Sequence, residues 1–327
     1  MSRDHTPCLS IGFPVYNGAD YLRRAIDALL QQTFADIEII VSDNCSEDRT
    51  AEICDELAAA DSRIVYHRND RNLGAAANFN RVVSHARGLY FAWGNHDDLW
   101  EPTYFEKCIA ELERDPVAVL AYSRSAKIDS DDDVVAVLEH GLGLTADRPG
   151  QRLRSYHDIF IETDRIDGWR RHEIEGIWTP VYGVIRTEAL RSTGLIGPYI
   201  SSDTVLLEEL LLHGRFVEVP EVLFLKRDHE ARSMRDSVAY AKRLEWFTGR
   251  SERLFLFPRF RILFERLRIV FRVPMPASHR LGSLYETLSF YWRRPHEAKA
   301  LIKEIGINAW RVFARVFGNA DRVPQKW

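Results

Sequence analysis

Strand-like and helix-like segments alternate over the first 120 or so residues, and this alternation limits the chain more than any other feature. Leu9 to Phe13 is an apolar run closed by Pro14, which reads as a buried strand. Gly18-Ala19-Asp20 offers an N-cap to a helix carrying Tyr21, Leu22, Ala25, Ile26, Leu29 and Leu30 at helical spacing. Ile37 to Val41 is a second strand. Ser46 then caps a helix to about Ala60, with Glu47 and Asp48 in the first turn, where the helix dipole favours acids. Ile64 to His67 and Leu89 to Trp93 are further strands, separated by a helical stretch over 74–87. A helix from about Pro102 to Arg114 and a strand from Val117 to Tyr122 complete the series. Such a pattern predicts an α/β fold, a mostly parallel sheet covered by helices.

After Ser125 the pattern loosens. Asp129 to Asp133 reads as a surface turn, Val181 to Ile185 as a strand, and Thr204 to His213 as a helix. Phe216 to Pro220 and Val222 to Leu225 read as two short strands, and from about Ser237 the chain is mostly helical. The charge divides along the same line. Residues 1–230 hold 24 Lys and Arg against 40 Asp and Glu, whereas 231–327 hold 20 against 8. The expected organisation is therefore a catalytic unit over 1–230, with halves 1–123 and 124–230, and a basic helical region over 231–327. The acidic unit is a poor nucleic-acid surface, so no nucleic-acid partner is expected. No run of eighteen uncharged apolar residues occurs, and the N-terminus lacks the apolar core of a signal peptide. Cys8, Cys45, Cys54 and Cys108 form no CxxC pair. These features point to reduced thiols and a cytoplasmic protein.

Ligands of a parallel α/β sheet bind at the carboxyl ends of its strands. Three strand ends here carry polar residues: Pro14-Val15-Tyr16-Asn17, Ser42-Asp43-Asn44 and His96-Asp97-Asp98. Adjacent carboxylates repel unless a cation lies beside them, and an oxygen-only ligand set suits Mg2+ or Mn2+. Asp98 also fits a helix cap. Asp43 can accept a hydrogen bond from the ring N–H of a base on which Tyr16 stacks, or serve as a turn residue. Neither GxxxxGK[ST] nor GxGxxG is present, which argues against a P-loop or a dinucleotide-binding turn.

Phe13-Pro14-Val15-Tyr16-Asn17-Gly18 with Tyr21-Leu22 resembles the opening of family 2 glycosyltransferases. So do Ile40 through Thr50, Asn72-Leu73-Gly74, and Gly88-Leu89-Tyr90 leading into Asp97-Asp98. The order and spacing are similar across roughly residues 9–123, and more weakly through 197–229. The resemblance implies the GT-A fold with a helical C-terminal extension, a nucleotide-diphosphosugar donor of the UDP-sugar class, a divalent metal (Mg2+ or Mn2+), and transfer with inversion to a saccharide or lipid-linked acceptor. It also implies work in cell-surface polysaccharide or glycolipid synthesis. Pro14, Tyr16, Asn17 and Asp43 match the nucleoside side of the donor site. Asn95, Asp97 and Asp98 match the acidic metal motif, with Asn95 in place of its first aspartate and Asp98 as direct ligand. Asp203, in Ser201-Ser202-Asp203-Thr204 before a helix, matches the catalytic base, and His229 matches a histidine that helps hold metal or diphosphate. An aspartate at a helix N-terminus is expected to be ionised.

Trp169, Trp178, Tyr182 and Tyr199 are candidate sugar-stacking surfaces or core residues. Phe260, Leu263, Phe264, Leu267, Val270 and Phe271 fall on one face of a helix over 259–272 that also carries five arginines. That face either packs inward or makes a peripheral contact with the inner face of a membrane. Two other functions stay open: a sugar nucleotidyltransferase, and a non-catalytic carbohydrate-binding scaffold, for which Asn95 and Ser202 in place of acids speak.

Overall fold

The structure is a computed structural model and describes residues 5–138, 141–164, 176–228, 240–249 and 257–316. Strands β1 (Leu9–Val15), β2 (Ile37–Asp43), β3 (Ile64–Arg68) and β4 (Tyr90–Trp93) alternate with helices α1 (Leu22–Leu30), α2 (Thr50–Ala60) and α3 (Ala75–His85). There follow β5 (Leu99–Trp100), α4 (Tyr104–Arg114), β6 (Ala118–Ile128), β7 (Val134–Leu138), α5 (Pro149–Thr163), β8 (Val184–Arg186), α6 (Thr187–Arg191), α7 (Ser202–His213) and β9 (Arg215–Arg227). Helices α8 (Tyr240–Thr248), α9 (Pro258–Arg272), α10 (Ala277–Arg293) and α11 (Pro295–Val316) form the C-terminal layer. One sheet runs β3-β2-β1-β4-β8-β6-β9-β5, with β7 paired to β6. The β3-β2-β1-β4 half is parallel throughout, as is β6 with β9, and β8, β5 and β7 pair antiparallel.

The expected alternation holds through residue 122, with shifted ends. Pro14 does not close β1 but lies inside it. Gly12 accepts from the Gly94 N–H on the β4 side and Val15 from the Asn44 N–H on the β2 side. The missing Pro14 donor therefore points past the end of β4, where no ladder bond is lost. Ser46 does not cap α2, because its hydroxyl accepts from the Asn17 N–H at 2.9 Å; the helix starts at Thr50, whose N–H and hydroxyl both reach Asp48.

The two short strands expected over 216–225 are one strand, β9. Its pairing with β6 shifts from Ser123↔Val219 to Arg124↔Val222 and Ser125↔Phe224, so Pro220 and Glu221 bulge out. The bulge lets β9 run on to Arg227, at the mouth of the sheet.

Each face of the sheet carries its own core. One holds Leu9, Ile11 and Phe13 with α1, α2 and α4, and the other holds Phe91 and Trp93 with α3, α5, α7 and α9. Val205 and Leu206 of α7 share the second core with Ile269 and Val270 of α9, so packing is continuous across residue 230.

Helix α7 is buried nearly all round, including two acids. Glu208 receives Arg266 through Nε at 2.9 Å and Nη2 at 2.7 Å, and His157 Nε2 lies 3.2 Å away. Glu209 receives Arg272 Nη1 at 2.9 Å. These pairs fix how α9 sits. It buries Glu265, Arg266, Ile269 and Val270, while Phe264 and Phe271 face solvent. Of the six-residue apolar face read from the sequence, Val270 is buried, Phe260, Leu263 and Leu267 are half-buried, and Phe264 and Phe271 are exposed, so the face is divided between the core and solvent.

Candidate functional site

The carboxyl ends of β1 and β4, the start of α7 and the end of β9 enclose a cavity of about 460 Å³. Six of the expected site residues line it: Pro14, Tyr16, Asn95, Asp97, Asp98 and Asp203. Pro14 and Tyr16 arrive on β1, the acidic loop on β4, and Asp203 on the first turn of α7.

Asp98 is 2% exposed. Its Oδ1 accepts from the Arg227 backbone N–H at 3.0 Å and its Oδ2 from Asn95 Nδ2 at 3.0 Å. Burial and the neighbouring Asp97 charge push its carboxyl up to about 7, against the pull of Lys226, the Arg227 N–H and Asn95. Asn95 thus does something an aspartate could not: it donates to the buried carboxylate. Arg227, itself fully buried, ties the loop further, donating from Nε to the Asp97 carbonyl at 2.9 Å and lying 4.7 Å over the Tyr21 ring. Gly18 makes room for this arrangement, since a Cβ there would sit 2.6 Å from Val15 Cγ2 and 2.9 Å from the His96 ring.

Two residues before Asp203 stands Ser201, a non-glycine residue at φ 67°, so the turn into α7 is left-handed and costs strain. Burial raises the Asp203 carboxyl, outweighing the Thr204 N–H, its own backbone and Lys226. That reverses the direction expected from its place at a helix N-terminus. A raised carboxyl is a stronger base.

Asp43 and Asn17 do not line the cavity. Asp43 is fully buried; Oδ1 accepts from the Ser46 N–H at 2.8 Å and Oδ2 from the Tyr66 hydroxyl at 3.1 Å, with Arg68 Nε at 3.5 Å. In this arrangement it fixes a turn and does not open onto the cavity. Asn17 is exposed and bridges the β1 and β2 ends, donating its N–H to Ser46 and accepting the Glu47 N–H on Oδ1 at 2.9 Å. His229 and Trp169 lie outside the described residues. Trp178 and Tyr182 line the cavity, and Tyr199 instead lies beneath Arg261 at 5.2 Å.

Sequence reasoning gave no role to Lys226, Arg227, Asn78 or Trp246, all on the cavity wall. Asn78 donates to the Ser42 carbonyl at 2.8 Å and accepts the Ser42 hydroxyl at 2.7 Å, pinning α3 to the end of β2. A lone polar residue in a small-residue helix start was its only sequence signal.

Among the described residues no three His, Cys, Asp or Glu side chains gather as a ligand set. The donor chemistry nevertheless fits a hard divalent cation. Asp98 is a buried carboxylate short of positive charge, beside a second carboxylate, and Mg2+ or Mn2+ binds through one or two carboxylates with water and substrate phosphate. Also among the described residues, no helix is long and apolar enough to cross a membrane.

The model of the family described as Glycosyl transferase family 2 matches residues 10–174, half of the chain. An uncharacterised glycosyltransferase of Rickettsia typhi is 38% identical over 126 residues, 38% of each chain. The hyaluronan synthase of Pasteurella multocida is 31% identical over 133 residues, 41% of this chain and 14% of that one. The matches thus span well under two thirds of these relatives. Among solved structures, Staphylococcus aureus TarS 1–349 in complex with UDP superposes with a TM-score of 0.58 at 14% identity, over 87% of this chain and 71% of that one. The same protein in complex with UDP-GlcNAc gives 0.59. The likeness shows a shared fold.

Proposed function

The chain belongs to glycosyl transferase family 2, with the GT-A fold, and from that membership we propose that it moves a sugar from a nucleotide diphosphosugar to an acceptor hydroxyl with inversion. The observation that carries this reading is the convergence of Asp97, Asp98 and Asp203 on one cavity that Pro14 and Tyr16 also line. The donor is a UDP-sugar, in keeping with the UDP and UDP-GlcNAc complexes of TarS. Its base lies at the Pro14–Tyr16 end, with Tyr16 as the stacking surface and Asp43 holding the turn behind it. Asp98, with Asp97, would hold Mg2+ or Mn2+, which offsets negative charge on the departing diphosphate when bound.

Asp203 takes the proton of the acceptor hydroxyl. The acceptor oxygen attacks the anomeric carbon from the face opposite the diphosphate, and the bond to the diphosphate oxygen breaks with its electron pair leaving on that oxygen. Lys226 adds fixed positive charge near Asp98 and Asp203. A second cavity of about 350 Å³ shares Ile200 and Ser201 with the first and is walled by Arg243, Lys303, Ile262 and Ile307. Its mixture of cations and apolar surface suits an acceptor such as a lipid-linked saccharide.

The test is calorimetry with UDP, GDP and dTDP, with and without Mn2+, followed by transfer assays. Metal-dependent binding of UDP is expected. A folded Asp203→Asn variant should keep that binding and lose about 100-fold or more in turnover. Retained turnover removes Asp203 as the base, and failure of the folded protein to bind any nucleotide favours the non-catalytic scaffold.

A further inference from the structure

The C-terminal layer inverts the usual arrangement of a surface helix. Leu281, Tyr285, Leu288 and Trp292 follow one another at steps of four, three and four residues on α10, which places them on one stripe. The opposite stripe, Ser283, Glu286, Thr287 and Phe290, is the one α10 buries. Leu281 is 67% exposed and Trp292 86%, and the stripe extends about 17 Å at 1.5 Å per residue. No Asp, Glu, Lys or Arg lies on this face; its flanks are Ser278, Gly282 and Ser289. Phe264 and Phe271 on α9, and Ile302 and Ile305 on α11, are also more than half exposed. Apolar exposure on this scale marks a contact surface.

Charge identifies what it contacts. Residues 257–310 contain ten Lys and Arg and four Glu. All four glutamates are turned inward and bonded: Glu265 to Arg261 at 2.7 Å, Glu286 to Arg293 at 3.3 Å, Glu297 to Arg259, and Glu304 to the Arg259 N–H at 2.7 Å. Arg261, Arg268, Lys299 and Lys303 stay exposed. Among the described residues of α9–α11, the outer surface therefore offers cations and apolar rings while each glutamate is bonded to an arginine side chain or backbone N–H. A second copy seated on it would bring like charges together, whereas an anionic bilayer supplies the opposite charge and an apolar interior. Trp and Tyr with neighbouring Lys and Arg suit the boundary between headgroups and acyl chains.

We propose that α9, α10 and α11 dock the protein peripherally on an anionic membrane, with the Leu281–Trp292 stripe entering the interface. The layer also walls the cavity that adjoins the cleft, so docking would set the cleft beside the lipid surface. The inference goes beyond the transfer reaction and does not depend on it.

The experiment is co-sedimentation of the full chain with vesicles of phosphatidylglycerol and phosphatidylcholine, and with pure phosphatidylcholine, at low and high salt. The expected result is binding to the anionic vesicles that weakens at high salt, as the Debye length shrinks from about 10 Å at 0.1 M to about 3 Å at 1 M. A Leu288→Glu, Trp292→Glu variant with an unchanged urea midpoint should bind at least about tenfold more weakly. Absence of binding to the anionic vesicles, or equal binding by the variant, overturns the proposal. So does a dimer in light scattering that the variant makes monomeric, because the stripe would then serve a second copy. The readout is lipid binding and not turnover, so its failure leaves the reading of the cleft intact.

Discussion

Asp98 and Glu208 are buried to the same degree, 2% and 1% exposed, yet their surroundings push protonation in opposite directions. Burial works to raise Glu208, but the Arg266 guanidinium and the His157 bond outweigh it and hold the carboxyl below its ordinary value. At Asp98 burial wins, reinforced by Asp97, and the carboxyl rises to about 7. One site contains a full countercharge at 2.7 Å; the other contains amide donors and a lysine whose pull does not outweigh burial and Asp97. The chain neutralises Glu208 itself and leaves the Asp98 carboxyl raised. Equal burial therefore says little about a carboxylate until its partners are counted. The first region is built to hold two layers together, and the second to receive a cation.

Breaking the self-neutralised pair should cost most. Arg266→Met strands Glu208 without its countercharge and should lower stability by about 3–5 kcal/mol, read from urea unfolding near pH 7. The Glu208 contribution is present above the unfolded carboxyl range and fades as pH falls through it, since the folded value is the lower one. Buried, neutral His157 adds to the acid-side loss below about pH 6.5, where the unfolded chain takes up a proton that the fold resists.

Asp98→Asn should do the reverse. The folded carboxyl keeps a proton that the unfolded chain loses near pH 4, so wild-type stability declines as pH rises from about 4 to about 7. With a chelator present at pH 8, the variant should be more stable than wild type by about 1–2 kcal/mol. An equal or lower unfolding midpoint would show that Asp98 already has its countercharge.

Asn95→Asp sharpens the contrast by exchanging a donor 3.0 Å from Asp98 for a third carboxylate. Chelated protein should lose about 1 kcal/mol, and Mn2+ should bind about tenfold more tightly in a titration. The smallest effect belongs to the scaffold behind the cleft. Ser46→Ala removes the acceptor of the Asn17 N–H and should cost about 1 kcal/mol or less, with faster hydrogen exchange at the Asn17 amide.

Legibility of the fold follows where its polar groups lie. Through residue 122 the central strands β1, β2 and β4 are buried on both faces and the helices are apolar on one, so local patterns report burial directly. The same patterns mislead wherever ions face inward. Helix α5 went unseen because Arg152 and His157 are among its buried residues. The inward face of α9 includes Glu265 and Arg266, which the apolar spacing does not pick out. The two-residue β5 carries too little pattern to register, and Pro220 divided β9 into two apparent strands. Within the cleft, the acidic loop and Asp203 were legible from their residue types. Arg227 was not, since its partners, the Asp98 carboxylate, the Asp97 carbonyl and the Tyr21 ring, lie more than a hundred residues away and meet it only in the folded sheet. The burial of Asp43 depends on Tyr66 and Arg68 from another strand, a contact that only the folded sheet makes.

The bulge at Pro220 and Glu221 acts as a vernier. With the further slip at Leu223, it shifts the offset between β6 and β9 by three residues between Ser123↔Val219 and Ser125↔Phe224, about 10 Å of strand. Strand side chains alternate with a period of two, so deleting one residue there would exchange the faces of everything beyond it. Lys226 would turn where Arg227 now points, and the loop that holds Asp98 would lose its lock. The cleft's electrostatics are thus set by a count of residues in a surface kink, a length that substitutions leave alone and a single deletion would not.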